Sequence, residues 1–406
     1  MEPPSLVYAS FDRVPSPKGA AVHIGAFAEG LARAFGRLDL VTVGPEDLAT
    51  RSAFGEGIAH HTLPALGATL IERVLHFRIR FGAWWGGRRA RVAHVRSIYE
   101  GYPIALRKGQ TCDALVFEVN GLPSIELKYH YPDVADDRDL VEKLRVQEQR
   151  CLDAADLVVT VSEVTAGHLE SRGVDRDRIR VIRNGVDTDL FAYRPPRPWD
   201  DRPVRLLYSG TLSPWQGVGD ALDAVALVNR EFAATLDLVG PARPGQARAL
   251  RERCHDLGIA DRVRLVGPVG QDELACLHRD CDVALAPLRP DDRNLLQGCC
   301  PLKVLEAMAS GTPVIASDLP VTRELARPGE EAILVRPGSA KAIKEALVLL
   351  RDLPELRTSL AESARRRVEC EFTWVRAQRA LAAAYEEVLG IRRATTRRSA
   401  AASTSG

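Results

Sequence analysis

Short apolar runs alternate with amphipathic segments along most of the chain. Runs at 5–9, 38–43, 93–96, 114–119, 156–161 and 179–182 read as strands covered on both faces, because their apolar positions are nearly continuous. Between them, residues 21–35, 141–155 and the segment opened by Ser162 repeat their apolar positions at helical spacing. The alternation resumes after 203. Strand-like runs at 204–208, 235–239, 263–266, 283–286 and 314–316 are separated by helical segments at 218–229, 248–257, 271–277 and 302–309. Residues 340–349 and 368–389 read as helices, the latter with a stripe through Phe372, Trp374, Leu381 and Tyr385. Strands that alternate with helices predict an α/β fold with parallel sheets. Residues 129–140 read as a polar loop, and Glu142, Arg145, Glu148 and Arg150 as the wet side of the helix after it.

The alternation is interrupted once, at 193–203 (YRPPRPWDDRP), where four prolines and several charges mark a domain boundary. The same device opens each half. A first strand runs into the loop DRVPSPKGA, with Gly19 beside Ala20, and then a helix; the strand at 204–208 runs into Ser209-Gly210-Thr211, with Gln216 and Gly217 before the next helix. A strand, a glycine turn and a helix N-terminus leave unpaired N–H groups that suit anions. Two such units predict two facing Rossmann-like lobes.

The densest candidate chemistry lies at 296–320, LQGCCPLKVLEAMASGTPVIASDLP. Pro301 suits a helix start, Leu302, Leu305 and Met308 mark an inner face, Gly311 stops the helix, and a buried strand follows. Glu306 has no reason to face a core. A carboxylate at the open end of a sheet accepts two hydrogen bonds from a vicinal diol such as ribose. Lys303, in the first turn, is a candidate phosphate cation; the alternative is a solvated helix lysine.

Composition narrows the picture. The 406 residues are 46% hydrophobic and 27% charged, with a formal net charge of +1, which gives nucleic acid no support as a partner. Eight cysteines without a CxxC pair argue against zinc or iron–sulfur and for a reducing, cytoplasmic setting. No apolar run reaches the roughly 20 residues of a membrane span. The segment 73–91 interleaves Phe77, Phe81, Trp84 and Trp85 with arginines. It reads either as a surface helix packed on its own domain or as a peripheral contact with an acidic membrane face or acceptor.

The segments VSE at 161–163, RIRVIRNGVD at 178–187 and PLKVLEAMASGTPVIAS at 301–317 closely resemble the GT-B glycosyltransferases of retaining family 4 (glycosyl transferases group 1). The resemblance runs through most of the chain and implies a GT-B fold: two Rossmann-like domains with parallel sheets and a deep cleft. The implied domains are 1–195 on the acceptor side, 196–370 on the nucleotide-sugar side, 371–389 as a helix crossing back, and 390–406 as a disordered tail. The implied donor is a nucleotide-diphosphate sugar, with UDP or GDP as its nucleotide. The implied acceptor is a hydroxyl on a small molecule, lipid-linked sugar or glycan. No essential metal and no further cofactor are implied.

Carried over residue by residue, the donor site comprises Gly19, Ala20, Gly210, Thr211, Gln216, Gly217, Gly267, Val269, Gly298, Pro301, Leu302, Lys303 and Glu306. The chain departs from the family in five places, the first being Ala20, where the family often has a second glycine. Asn120 stands where a site histidine is usual, with Glu118 on the same side of the strand. Together with Lys303 these are the catalytic candidates: Glu118 as a group that polarises an acceptor hydroxyl, Asn120 as a sugar contact or as a turn residue. Thr211 and Gln216 replace two diphosphate-binding cations, and Gly298 replaces a sugar-binding glutamate. Arg183 and Arg293 are further candidate cations. These losses keep two alternatives open: a non-catalytic nucleotide-sugar-binding protein, and another GT-B enzyme such as an inverting transferase.

Overall fold

A computed structural model describes residues 5–45, 54–134, 136–200 and 202–390. The tail expected beyond 390 lies outside the described residues. The amino-terminal half comprises β1 (Leu6–Arg13), α1 (Gly19–Phe35), β2 (Leu38–Val43), β3 (Ile58–Leu63), α2 (Leu70–Trp85), β4 (Ala90–Val95), α3 (Ile98–Leu106), α4 (Lys108–Thr111), β5 (Cys112–Val119), α5 (Pro123–His130), α6 (Arg138–Ala154), β6 (Leu157–Thr160), α7 (Glu163–Ser171) and β7 (Ile179–Val181). The second half comprises β8 (Val204–Ser209), α8 (Val218–Val228), β9 (Ala234–Val239), α9 (Pro244–Asp256), β10 (Val263–Val266), α10 (Gln271–Asp280), β11 (Val283–Ala286), α11 (Leu302–Ser310), β12 (Val314–Ser317), α12 (Pro320–Arg323), β13 (Ile333–Val335), α13 (Ala340–Asp352), α14 (Pro354–Glu371) and α15 (Trp374–Leu389).

Both sheets are wholly parallel. The seven-stranded sheet has the order β3-β2-β1-β4-β5-β6-β7 and the six-stranded sheet β10-β9-β8-β11-β12-β13. Each is covered by helices on both faces, with separate hydrophobic clusters on the two sides. This covering explains the continuous apolar character of the strands. Strand order reverses beside β1 in one sheet and beside β8 in the other. Such switch points leave a crevice at the carboxyl ends of the strands, and here the two crevices face each other.

Three expectations need correction. The helix expected over 368–389 is two helices. Phe372 turns into the core of the second half, its carbonyl accepts from Val186 N at 2.8 Å, and Thr373 caps α15. That break lets α15 return to the first half, where Leu381 and Tyr385 pack with Phe27, Leu31 and Phe35 of α1. The expected loop at 129–140 holds the end of α5, a 3-10 turn and the start of α6. Glu148, expected in water, is buried. It accepts from Ser124 N and Oγ at 2.8 Å and from Arg172 Nη1 at 2.7 Å, so its partners lie in neighbouring elements.

The segment 73–91 packs Phe77, Phe81 and Trp85 against its own domain, and Arg88 lies 4.8 Å over the Trp84 ring. The opposite face of α2 is also apolar. Ile71, Leu75 and Ile79 are 55%, 54% and 71% exposed, and Leu66 just ahead of the helix is 64% exposed. No helix among the described residues is long and apolar enough to cross a membrane.

Candidate active site in the interdomain cleft

A cavity of about 600 Å³ lies between the two switch points. From the first half it takes the loop after β1, the start of α1, and the ends of β4 and β5. From the second it takes the loop after β8, the turns after β9 and β10, and the approach to α11. Of the expected site residues, Gly19, Ala20, Asn120, Gly210, Thr211, Gln216, Val269, Pro301, Leu302, Lys303 and Glu306 line it.

Pro301 lacks an N–H and sits at the N-cap of α11, one position earlier than the first-turn placement expected. The helix then carries Lys303 and Glu306 on one face, three residues apart. Both are buried at the cavity wall. Lys303 Nζ donates to Gln216 Oε1 at 2.7 Å and lies 4.0 Å from the centre of the Tyr208 ring. The ammonium therefore reaches the residue that stands at one of the family's cation positions. Burial pushes the Lys303 pKa down to about 7, partly opposed by Cys299 and Glu306. Burial pushes Glu306 up to about 7, opposed by Lys303. Within the described residues no donor is paired with the Glu306 carboxylate.

Glu118 does not line the cavity; it is fully buried behind it. Tyr8 Oη donates to it at 2.8 Å and Arg96 Nε at 2.7 Å, while His94 Nε2 lies at 3.0 Å. His23 Nε2 is 2.8 Å away, an ion-pair distance with a poorly aligned hydrogen-bond angle. The Asn120 amide also donates to Glu118. Burial alone would raise the Glu118 pKa, but His23, Arg96 and these bonds hold it well below the usual carboxylate range. A carboxylate so enclosed anchors the site and is not available to an acceptor. Asn120 lines the cavity, and its Oδ1 is buried and unpaired.

The network continues across the cleft. Asn184 Nδ2 donates to the Cys300 carbonyl at 2.7 Å, just ahead of α11, and its Oδ1 lies 2.7 Å from His23 Nδ1. On the far side, His94 Nδ1 lies 2.7 Å from Tyr385 Oη on the returning helix. His23, His94 and Asn184 thus connect both halves; none was singled out in the sequence as a histidine–carboxylate network, because their partners are distant in the chain.

Arg183 is spent elsewhere. Its Nε and Nη2 donate to Glu324 Oε2 at 3.1 and 2.8 Å, in a clamp between the halves outside the cavity wall. Gly217, Gly267 and Gly298 also lie outside the lining. Gly217 has φ +73°, and a Cβ there would fall 1.7 Å from the Pro287 carbonyl oxygen. Gly298 has φ +76°, and its Cβ would fall 2.4 Å from Ser162 Oγ. A glutamate at 298 would collide with the start of α7, so its replacement follows from close packing of the two halves. Asp292 pairs with Lys128, and no group of three or more metal-ligating side chains occurs among the described residues.

Comparison with known proteins agrees with this architecture. Residues 17–190 match the family model described as Glycosyltransferase Family 4, and residues 203–352 match Glycosyl transferases group 1. The chain is 32% identical over 235 residues to an MMP alpha-(1->4)-mannosyltransferase of Mycolicibacterium hassiacum, covering 57% of this chain and 54% of that protein. It is 28% identical over 276 residues to a D-inositol 3-phosphate glycosyltransferase of Corynebacterium glutamicum, covering 63% of each. The matched stretch thus spans little more than half the length of these relatives. Among solved structures, sucrose-phosphate synthase from Thermosynechococcus elongatus superposes with a TM-score of 0.78 at 22% identity, covering 95% of this chain and 99% of that one. Anabaena HepE in complex with UDP-glucose superposes with a TM-score of 0.70 at 17% identity, covering 94% and 100%. At these identities the superpositions speak for the fold. With two facing parallel-sheet lobes and family matches in both, the chain belongs to the GT-B glycosyltransferases of group 1, family 4.

Proposed function

We propose that the chain is a retaining glycosyltransferase that moves a sugar from a nucleotide-diphosphate donor to an acceptor hydroxyl. The observation that carries this reading is the placement of Lys303 and Glu306 on one face of α11, at the wall of the cleft between the two switch points. Glu306 accepts the ribose hydroxyls. Lys303 and the N-terminal end of α11 meet the diphosphate, where negative charge grows as the anomeric C–O bond breaks. The loss of cations at 211 and 216 favours a non-catalytic protein only if nothing replaces them, and the Lys303–Gln216 contact supplies a replacement. Asn120 contacts a sugar hydroxyl from the cavity lining. The acceptor attacks on the face the diphosphate leaves, since Glu118 is withdrawn from the cavity and does not serve as a nucleophile. The mannosyltransferase and inositol-phosphate glycosyltransferase activities named for the relatives support a transferase.

In this reading the protein works in the cytoplasm and docks on the inner membrane face through the exposed aliphatic stripe of α2. The test of the reaction is a mass-spectrometric screen of UDP-, GDP- and ADP-sugars against an acceptor panel, with the product anomer assigned by NMR. A product that keeps the donor's anomeric configuration supports the proposal. An inverted product, or bound donor with no turnover across the panel, defeats it.

A further inference from the structure

The cleft contains a second polar cluster that the donor reading leaves unused. Arg293 lies in a π-helical turn at Arg293–Gln297, with its guanidinium 4.1 Å from the centre of the Trp215 ring. Its Nε and Nη1 are buried and have no hydrogen-bond acceptor. Glu126 of α5 approaches Nε only to 3.4 Å, while its Oε1 accepts from Gln297 Nε2 at 2.9 Å. The Trp215 indole N–H is likewise unpaired, in a side chain only 7% exposed. Arg293, Trp215, Glu126, Lys18, His130 and Asn120 all line the cavity.

Buried donors without partners are rare, because each forfeits its hydration for nothing. Charge points the same way. Arg96, the other cavity arginine, is neutralised by Glu118 and Asp12 at 2.7 and 2.6 Å. Arg293 has Glu126 at 3.4 Å and interacts through space with Asp291, but neither accepts a hydrogen bond from its Nε or Nη1. Burial lowers the His130 imidazole pKa; Glu126 opposes that shift, and Arg293, Arg243 and Lys18 add to it. Arg243 Nη2 donates to the His130 carbonyl at 2.6 Å, bringing a further cation to the rim from the other half. Asn120, which lines the same cavity, has a buried and unpaired acceptor in its Oδ1.

We infer that Arg293 and Trp215 form a subsite for an acidic group, a carboxylate or phosphate, carried on a hydroxylated substrate in addition to the donor's diphosphate. The inference rests on the glycosyltransferase reading for the identity of the two substrates, but not for the anion site. The acid sits either on the transferred sugar or on the acceptor. Two matched pairs of probes separate these sources: UDP-glucuronate against UDP-glucose, and glucose 6-phosphate against glucose, the second pair with and without UDP.

Calorimetric titration of the full chain is expected to show one acidic probe binding at least about tenfold tighter than its neutral twin, as a charge-assisted bond to arginine allows. Arg293→Gln should remove that preference while UDP affinity stays within about twofold. Trp215→Phe keeps the ring under the guanidinium and removes one donor, and should weaken the acidic probe about threefold. Acidic and neutral twins that bind alike in both pairs overturn the proposal. So does an Arg293→Gln variant that loses UDP itself as strongly, which would make Arg293 a diphosphate cation. Failure of the glycosyltransferase reading looks different: no nucleotide binds, and the nucleotide-free glucose 6-phosphate pair still decides the anion site.

Discussion

Lys303 reaches back 87 positions to Gln216, and its ammonium donates to the amide oxygen at 2.7 Å. The cation usual at position 216 is absent, and Lys303 of α11 is placed to supply the charge there. Lys303→Val should lower UDP affinity at least about tenfold, the usual weight of a charge-assisted bond. Adding Gln216→Lys to that variant should recover most of the loss, because the charge returns from the other side of the same contact. Calorimetry on the single and double variants checks this. A double variant as weak as the single one contradicts the exchange.

The burial of Lys303 should also make donor binding proton-linked. Its pKa near 7 in the free protein leaves it mostly neutral at pH 8, and a bound diphosphate favours the charged form. UDP binding at pH 8 should therefore take up close to one proton, and affinity should fall as pH rises above 7. Titrations in buffers of different ionisation enthalpy measure the uptake. Lys303→Met should abolish it.

Glu118 should matter to folding more than to binding. Its charge compensates Arg96 and faces His23 and His94 within a fully buried cluster. Glu118→Gln removes the fully buried one of the two carboxylates that neutralise Arg96, and the carboxylate facing His23 and His94, and should cost about 3–5 kcal/mol of stability at neutral pH. The sign of the pH dependence follows from its depressed pKa. The stabilisation is complete above the ordinary value of 4.5 and is lost as pH falls through the lower folded-state value. Urea titrations at several pH values should show the wild type losing this increment in acid and the variant lacking it throughout.

The outer face of α2 gives a prediction for the membrane. Ile71, Leu75 and Ile79 follow one another at helical spacing, all more than half exposed, with Arg80 and Arg88 also at the surface. Sedimentation with phosphatidylglycerol vesicles should carry the protein down, and phosphatidylcholine vesicles should do so less. The pair Leu75→Glu and Ile79→Glu should reduce binding more than about tenfold, given the apolar area removed. Equal sedimentation of wild type and variant removes the membrane from the account.

The sequence carried the parts of this design that are local. Proline, glycine and helical spacing marked α11, and continuous apolar runs marked the parallel strands. Glu306 stood out because its surroundings gave it no local partner. What was not legible depends on separation in the chain. Glu118 looked like a cavity carboxylate because strand alternation put it beside Asn120; its donors come from β1, α1 and β4. The absence of a glutamate at 298 became explicable only once Ser162 was seen against it. The break at Phe372 was hidden by apolar spacing that continued through it, while the Val186 contact that causes it lies in the other half.

Ribose binding by Glu306 is the contact that makes this cleft a nucleotide-sugar site in the proposed reaction. UDP-, GDP- and ADP-glucose titrated into wild type and Glu306→Ala, with thermal unfolding followed in parallel, test it. At least one donor should bind the wild type, and the variant should bind it at least about tenfold more weakly while unfolding at a similar temperature. Undiminished donor affinity in Glu306→Ala would contradict it.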